Sequence, residues 1–372
     1  MVDQDRRRSF AVALLPLAAS GRDAPAEAGA GSAMNFADPN PRPFGRLADG
    51  SPVDAFTLGG PNGLQAEILT LGGTLRSLTL PVKGERIPLV LTLDDLPAYL
   101  QDTSYLGQLV GRYCNRIAGA SFVLDGKKHE LTANNGPNTL HGGSAGFGKF
   151  VWRVVDAATG SRLKLAHFSP AGANGFPGNL DITALISIVE NTLTLAFEAR
   201  ADAPTPVSFT WHPYFNLSGD PHRPIEEQTL RMAAGRYLPV NDARVPTGEI
   251  ARVAGTPFDF RKAKALHVPP PSVHPQLALT GGWDHCWALD KGAQPAAQLY
   301  SPASGVRMSL TTSMPGLQVY GAYHLRTAYP GLHAVCLEPE NFPDAPNHAN
   351  FPSSILMPGE PYQAYISYRF EA

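Results

Sequence analysis

Short alternating segments separated by turns are the dominant pattern of this chain from about Phe44 onward. Two pairs of such segments flank the two-residue turns Asp125-Gly126 and Glu190-Asn191, and Asp-Gly suits the type I′ turn of a β-hairpin. Further strands are predicted over residues 64–68, 307–312 and 362–368. No stretch carries an uninterrupted helical period of three or more turns, which disfavours a parallel α/β layout. The sequence therefore predicts an all-β protein, a large antiparallel β-sandwich.

Composition and charge narrow the class of protein further. The chain of 372 residues contains 36 glycines and 35 prolines, a turn-rich composition that fits many short strands. Its formal net charge is −2 and its basic residues are scattered outside residues 6–8, so we expect no nucleic-acid partner and no anionic membrane partner. The three cysteines are far apart, which predicts buried thiols and neither a disulfide framework nor a metal site.

The first 33 residues differ from the rest of the chain. A pair of arginines precedes a short apolar run over residues 11–19, and a stretch rich in alanine and glycine follows. This order is typical of a twin-arginine export signal and predicts a bacterial periplasmic protein, because the run is too short to span a membrane. Alternatively, residues 1–33 are a disordered extension and Met34 begins a cytoplasmic protein. Residues 34–372 are predicted to form a single domain.

Two side chains are candidates for proton transfer. Glu338 lies where an apolar, strand-like run meets a loop rich in proline and asparagine, and Pro339 holds it in an extended conformation. The alternative interpretation is a solvated carboxylate at a sheet edge. His212 stands among aromatic residues, where it is either a core histidine or a general acid beside rings that pack on a sugar.

Five further polar side chains suit the recognition of a polyol. Asn115 and Arg116 adjoin small residues that allow close approach of a ligand, although Arg116 could instead pair with an acid at a sheet edge. His141 lies in a loop rich in amides and glycine, which could otherwise be a mobile surface loop. Asp284 and Gln318 stand in apolar surroundings and need polar partners, which a hydroxylated ligand can supply.

These residues belong to six short motifs that follow one another in a specific order. The motifs are NRIA at 115–118, NTLHGG at 138–143, HPYFNL at 212–217, WDH at 283–285, GLQVY at 316–320 and LEPENFPDA at 337–345. With these six in order, the chain resembles the aldose 1-epimerase (galactose mutarotase) family from about Phe44 to the C-terminus.

The resemblance implies a galactose mutarotase-like supersandwich and an isomerase that needs no cofactor. Such an enzyme interconverts the α and β anomers of free aldohexoses such as galactose and glucose. By the resemblance, Glu338 is the general base for the anomeric hydroxyl and His212 is the general acid for the ring oxygen. The implied sugar-binding residues are Asn115, Arg116, His141, Tyr214, Asp284 and Gln318. The implied partner is a small-molecule sugar, and we expect a monomer or a homodimer.

The proposed chemistry also sets an expectation for charge. Ring opening removes one proton from an alcohol and adds one to an ether oxygen, so a carboxylate and a protonated histidine on opposite sides suffice. His212 should therefore be charged near neutral pH, and nearby acids are expected to favour that form.

Two segments depart from the family pattern. Pro213 follows the histidine where a small polar residue is usual, and Tyr323-His324-Leu325 replaces an asparagine-phenylalanine pattern. The rim of the site and the preferred sugar are therefore left open.

Three other functions share parts of this pattern. A hexose-6-phosphate 1-epimerase would need a basic cluster for the phosphate, and Arg112 is the one spare candidate near a motif. A non-catalytic carbohydrate-binding protein of the same fold would keep the aromatic residues and lose Glu338 or His212. The carboxylates of Asp284 and Glu338 would also fit a retaining glycosidase, which would release product from an aryl glycoside.

Overall fold

The computed structural model describes residues 41–372 apart from residues 159, 323, 324 and 326–332. The predicted export segment 1–33, the boundary at Met34 and the departure at Tyr323-His324 lie outside these residues. Export, localisation and the domain boundary therefore stay predictions. Within the part of the chain that is described, no helix is both long and apolar enough to cross a membrane.

Strands make up nearly all of the regular structure. The described residues hold two α-helices of six residues each, α1 (Leu96–Gln101) and α2 (Pro275–Thr280). Single 3₁₀ turns lie at Ala118–Ala120, Phe147–Lys149, Ala173–Gly175, Pro271–Val273 and Ala345–Asn347. The strands are β1 (Arg42–Arg46), β2 (Pro52–Gly59), β3 (Gln65–Leu69), β4 (Thr74–Val82), β5 (Glu85–Pro88), β6 (Leu109–Val110), β7 (Arg116–Ile117), β8 (Ser121–Leu124), β9 (Lys127–Glu130), β10 (Thr139–Leu140), β11 (Arg153–Ala158), β12 (Arg162–Ser169), β13 (Leu180–Val189), β14 (Thr192–Ala201), β15 (Thr205–Pro206), β16 (Thr210–Trp211), β17 (Tyr214–Phe215), β18 (Thr229–Met232), β19 (Arg236–Leu238), β20 (Ala251–Arg252), β21 (Lys264–Ala265), β22 (Asp284–Ala288), β23 (Ala297–Tyr300), β24 (Arg307–Thr312), β25 (Gly316–Tyr320), β26 (Val335–Glu340), β27 (Ile355–Leu356) and β28 (Tyr362–Glu371).

Three large sheets carry the architecture. One has nine strands in the order β11-β12-β13-β14-β28-β24-β23-β18-β21, the second has six in the order β17-β26-β25-β22-β19-β20, and the third has five in the order β1-β2-β3-β4-β5. Neighbouring strands in all three pair antiparallel. One apolar core joins them, since it contains Leu195 of the first sheet, Leu337 of the second and Ile68 of the third. The prediction of an all-β antiparallel sandwich is confirmed.

The predicted hairpins also form. Strands β8 and β9 meet across Asp125 and Gly126, whose φ angles of 51° and 75° are those of a type I′ turn. Strands β13 and β14 meet across Glu190-Asn191, with Val189 opposite Thr192. The last strand, β28, lies in the middle of the nine-stranded sheet between β14 and β24, where it joins the two halves of that sheet.

The alternation of buried and more exposed residues in β13 fixes the register of this strand in the sheet. Its residues at every second position are buried, and Ile186 is fully buried in the shared apolar core. Residues between them face outward or are half-buried, so one face of the strand is apolar. Slipping the register by one residue would turn this apolar face outward.

We predict that Ile186→Ala lowers the free energy of unfolding by about 2–5 kcal/mol, because it removes buried methyl groups and leaves a cavity. The matched control is Val189→Ala on the same strand, where the side chain is 68% exposed and we expect a change within about 0.5 kcal/mol. Urea denaturation followed by circular dichroism measures both. Equal losses in the two variants would contradict this account of the core.

The six-stranded sheet fixes the register of several polar side chains. Strand β26 lies between β17 and β25, and all six of its residues are buried. Gln318 of β25 lies opposite Glu338 of β26, so their side chains share one face of the sheet. Asp284, at the start of β22, lies opposite Tyr320 of β25.

Candidate active site

One cleft of about 350 Å³ is lined by all eight site residues predicted from the sequence. Glu338, Gln318, Asp284 and Tyr214 reach it from the six-stranded sheet. The remaining four come from short segments elsewhere in the chain, namely Asn115, Arg116, His141 and His212. The structure therefore brings together residues that are up to 223 positions apart in the sequence (115 to 338).

His212 and Glu338 lie side by side in this cleft. The Nε2 atom of His212 lies 3.5 Å from Oε2 of Glu338, and both side chains are almost fully buried. Within the described part of the chain, Oε2 of Glu338 and Nδ1 of His212 are buried without a hydrogen-bond partner. Buried polar atoms in this condition are costly unless a ligand satisfies them. Both side chains line the cleft, so a bound ligand can meet them there.

Two aromatic rings lie near-parallel to the ring of His212. The ring of Tyr214 stacks on it at a centroid distance of 5.1 Å, and the ring of Tyr105 lies near-parallel at 6.2 Å. The hydroxyl of Tyr214 donates to the carbonyl oxygen of Ser104 at 2.8 Å. The ring of Tyr214 thus orients the histidine, and its hydroxyl anchors the loop that carries Ser104.

His141 is bound to Asn115 by two hydrogen bonds. The backbone N–H of Asn115 donates to Nδ1 of His141 at 3.2 Å, and the backbone N–H of His141 donates to the carbonyl oxygen of Asn115 at 3.0 Å. Strands β7 and β10 create this contact by pairing Arg116 with Leu140. Since Nδ1 accepts a hydrogen bond, the neutral ring of His141 carries its proton on Nε2.

The other polar residues of the cleft bond to one another. Nε2 of Gln318 donates to Oδ1 of Asp284 at 2.7 Å, so each of these buried side chains gives the other a hydrogen-bond partner. Nε of Arg116 donates to Oδ1 of Asn135 at 3.0 Å, which fixes the guanidinium at the wall of the cleft. These side chains present donors and acceptors in fixed positions, as recognition of a polyhydroxylated ligand requires.

Burial controls the protonation of the central pair. Burial raises the pKa of Glu338 well above its ordinary value, and the negative charges of Glu340 and Asp284 raise it further. The positive charge of Arg116 lowers this pKa. Burial lowers the pKa of His212 to about 4. The expectation that nearby acids keep His212 charged near neutral pH is therefore wrong for the unliganded cleft, because desolvation penalises the charged form of both groups.

His141, His212 and Glu338 are the described residues whose geometry could hold a metal ion, since one ligand atom of each lies within 4.8 Å of the others. The tautomer of His141 argues against this use. Its Nδ1 accepts from the backbone of Asn115, so Nε2 bears a proton and offers no lone pair to a metal. The three groups suit proton transfer and hydrogen bonding better than metal binding.

Several residues of the cleft were not predicted from the sequence. They are Thr103, Ser104, Tyr105, Leu140, Arg244 and Tyr320. Tyr105 and Arg244 both have positive φ angles, 57° and 58°. The local sequence does little to predict such a conformation for tyrosine or arginine. Asn241 organises the turn that carries Arg244, since its side chain accepts from the backbone N–H groups of Ala243 and Val245. An Asx turn at Asn241 was the one available signal.

Arg112 does not reach the cleft. Its guanidinium is buried and donates to the carbonyl oxygens of Pro177, Gly178 and Ser169 at 2.8 Å each. Because these contacts occupy the group in a structural role, Arg112 is not placed to bind a phosphate in this site.

A larger groove lies elsewhere, on the nine-stranded sheet. It measures about 510 Å³ and is lined by residues such as Phe168, Arg200 and Gln363. None of the eight predicted residues lines it. We therefore assign the functional site by its chemistry to the smaller cleft.

The fold and the cleft define a class: an antiparallel β-sandwich protein with a polar cleft in which a histidine is buried beside a carboxyl group. The model of the aldose 1-epimerase family matches residues 54–369. Galactose mutarotase from Bos taurus is 36% identical over 319 residues, which cover 82% of this chain and 91% of that protein. Aldose 1-epimerase from Escherichia coli (strain K12) is 33% identical over 338 residues, which cover 87% and 97%.

Solved structures agree with the sequence comparisons. The crystal structure of galactose 1-epimerase from Lactobacillus acidophilus NCFM matches with a TM-score of 0.78 at 29% identity, covering 89% of this chain and 98% of that chain. An aldose epimerase homologue from C. elegans matches with a TM-score of 0.77 at 30% identity, covering 86% and 99%. This chain belongs to the aldose 1-epimerase family.

We predict that His212 is neutral at pH 7 in the unliganded protein and gains a proton only near pH 4. Long-range ¹H–¹⁵N spectra of the imidazole nitrogens, assigned with His212→Gln, measure this directly. Since the ordinary histidine pKa of 6.5 applies when the chain is unfolded, the unfolded state binds the extra proton between about pH 6.5 and 4. His212 therefore makes the fold less stable as pH falls through this window. A titration midpoint above 6.5 would contradict the prediction.

Proposed function

We propose that this chain is an aldose 1-epimerase that interconverts the α and β anomers of free aldohexoses such as galactose and glucose. The observation that carries the proposal is the buried pair of His212 and Glu338, 3.5 Å apart in a cleft lined by hydrogen-bonding side chains. The names of the relatives, galactose mutarotase and aldose 1-epimerase, support the same activity.

The reaction moves two protons in opposite directions. Glu338 takes the proton from the anomeric hydroxyl, and the electron pair of that O–H bond forms the carbonyl group at C1. The C1–O5 bond breaks, and its electron pair takes a proton from His212. The open-chain aldehyde rotates about C1–C2 and closes again with the roles of Glu338 and His212 reversed. No atom is gained or lost, so the cycle needs no cofactor.

The active form of the pair carries one proton in total. In the unliganded cleft this proton resides on Glu338, because burial disfavours both charges. Moving it to His212 creates the base and the acid without uptake of a proton from water. Arg116 favours this form because its positive charge lowers the pKa of Glu338. Hydrogen bonds from the bound sugar to Oε2 of Glu338 would favour it further.

The remaining residues of the cleft bind the sugar. His141 donates from Nε2, Asn115 and Arg116 offer donors, and the bonded pair of Asp284 and Gln318 accepts from hydroxyl groups. Tyr214 acts through its ring, which positions His212. The preferred aldose is then set by how its hydroxyl groups fit the rim of the cleft.

The alternatives predict different substrates. A hexose-6-phosphate 1-epimerase would prefer a phosphorylated sugar, but Arg112 is held by carbonyl groups away from the cleft. A glycosidase would release nitrophenol from an aryl glycoside, and a binding protein would do neither. Each alternative can be tested with the same preparation.

We predict that the protein accelerates the approach of freshly dissolved α-D-galactose and α-D-glucose to their equilibrium rotation. Glu338→Gln and His212→Gln should each lower kcat by about 10²–10⁴, since each removes one proton-transfer group. Polarimetry measures the rates, and Glu85→Gln, an exposed carboxyl of β5, is the matched control. No acceleration with either sugar, or full activity in Glu338→Gln, would refute the proposal. Preference for hexose 6-phosphates would move the assignment to that class.

The acid side of the pH profile follows from the same pair. We predict that kcat/KM, corrected for the spontaneous reaction, is level around neutral pH and falls as pH approaches about 4, where His212 gains a proton while Glu338 keeps its own. The value of kcat/KM falls because the pair of His212 and Glu338 then carries two protons instead of one. A steep loss already between pH 7 and 6 would show that His212 titrates far above its assigned range.

A further inference from the structure

Glu340 is a fully buried carboxyl that the proposed reaction does not use. It lies two residues beyond Glu338 in β26, and both face the same side of the strand. Among the described residues no lysine, arginine or histidine forms an ion pair with it, and its hydrogen-bond partners are Asn115 and Cys114. A buried acid without a cation is expensive, so its presence requires a physical explanation.

The contact with Asn115 determines how this amide is oriented. Oδ1 of Asn115 accepts from the backbone N–H of Arg116 at 3.0 Å, which identifies the other end of the amide as Nδ2. Nδ2 then donates to Oε1 of Glu340 at 3.1 Å. Glu340 and the backbone of Arg116 together prevent rotation of the Asn115 side chain.

The constrained Asn115 in turn holds His141. Its φ angle is 57°, in the left-handed region, so side-chain bonds are needed to hold the backbone there. The same backbone donates to Nδ1 of His141 and accepts from the N–H of His141. A displaced Asn115 would therefore change both the position and the tautomer of His141.

The second oxygen of Glu340 is bonded to Cys114, which is itself held in place. Oε2 of Glu340 lies 3.0 Å from Sγ of Cys114, which lies 2.9 Å from Oγ of Ser208. Oγ of Ser208 in turn accepts from the backbone N–H of Asn341 at 3.1 Å. Sγ of Cys114 donates to Oε2 and Nδ2 of Asn115 donates to Oε1, so both oxygens of Glu340 are used.

Charged and titratable groups on every neighbouring element act on Glu340. They are Tyr113, Cys114, Arg116, Asp284, Cys286 and Glu338. Burial is the largest influence and raises the pKa of Glu340 to about 8. The hydrogen bonds from Cys114 and Asn115 lower this pKa, Asp284 raises it and Arg116 lowers it. Burial outweighs the hydrogen bonds, and the neutral form is favoured at pH 7.

We propose that Glu340 is a positioning residue of this active site: as a neutral carboxyl group it holds Asn115, and through Asn115 it holds His141. The proposal rests on the proposed function for its catalytic consequence, but the protonation of Glu340 and its hold on His141 can be measured without activity.

Two variants separate hydrogen bonding from charge. Glu340→Gln keeps an acceptor for Asn115 and a polar partner for Cys114 but cannot ionise, whereas Glu340→Leu fills a similar volume without either bond. We expect Glu340→Gln to keep kcat/KM for galactose within about threefold at pH 6–7. We expect Glu340→Leu to lose about 10–100-fold, because misplaced binding groups slow the reaction. The Leu variant should also shift the imidazole ¹⁵N resonances of His141.

Thermal unfolding provides a test that does not depend on activity. The ordinary pKa of a glutamate is 4.5 and that of Glu340 in the fold is about 8, so the folded state binds more protons in this window and wild type loses stability as pH rises. The Tm of Glu340→Gln relative to wild type should therefore rise steadily between pH 5 and 8. Glu371→Gln, at the exposed end of β28, is the control and should show no such trend.

These measurements can overturn the proposal. A Tm difference that stays flat with pH would show that Glu340 does not change its charge in this range. Unchanged His141 resonances in a folded Glu340→Leu variant would show that it does not position that residue. A loss above tenfold in Glu340→Gln at pH 7 would show that a carboxylate is required. If wild type itself fails to accelerate mutarotation, the proposed function fails, and the Tm and resonance measurements still decide the role of Glu340.

Discussion

The burial of Glu338 beside His212 is the interaction on which the rest of the cleft depends. Burial disfavours the charged form of both groups, so the pair holds one proton in total and carries no net charge. In the proposed reaction, such a pair exchanges protons with a sugar efficiently only if the surrounding groups are fixed in advance. The stacking of Tyr105 and Tyr214 on His212 and the strand pairing beneath Glu338 supply that fixed geometry.

The six-stranded sheet explains how so many polar groups are tolerated in one place. Antiparallel register sets Gln318 beside Glu338, and the amide of Gln318 also reaches Asp284. Gln318 and Asp284 thus form one bonded unit. Asn115 and His141 form a second bonded unit, and Glu340 connects that unit to the strand that carries Glu338. Strand pairing and hydrogen bonds therefore join both units to β26.

Much of this protein could be predicted from local patterns. Alternation and turn chemistry predicted the antiparallel sandwich and the hairpins at Asp125-Gly126 and Glu190-Asn191. Polar residues in apolar or glycine-rich surroundings marked Glu338, His212 and the sugar-binding candidates, and all of them line one cleft. The charge of His212 could not be predicted, because the degree of burial depends on which segments pack around it. Tyr105 and Arg244 carried little local signal, since their conformations are set by the loops around them.

The sequence alone determined the class of fold and the set of candidate side chains, because strand period, turn residues and motif order are local properties of the chain. Only the tertiary structure decided which atoms meet: that Nε2 of His212 faces Oε2 of Glu338, that Arg112 is held by carbonyl groups, and that Glu340 bonds to Asn115. These contacts join segments far apart in sequence, and their energies depend on burial. The distances between such segments, and the desolvation of their side chains, are set only when the sheets pack together.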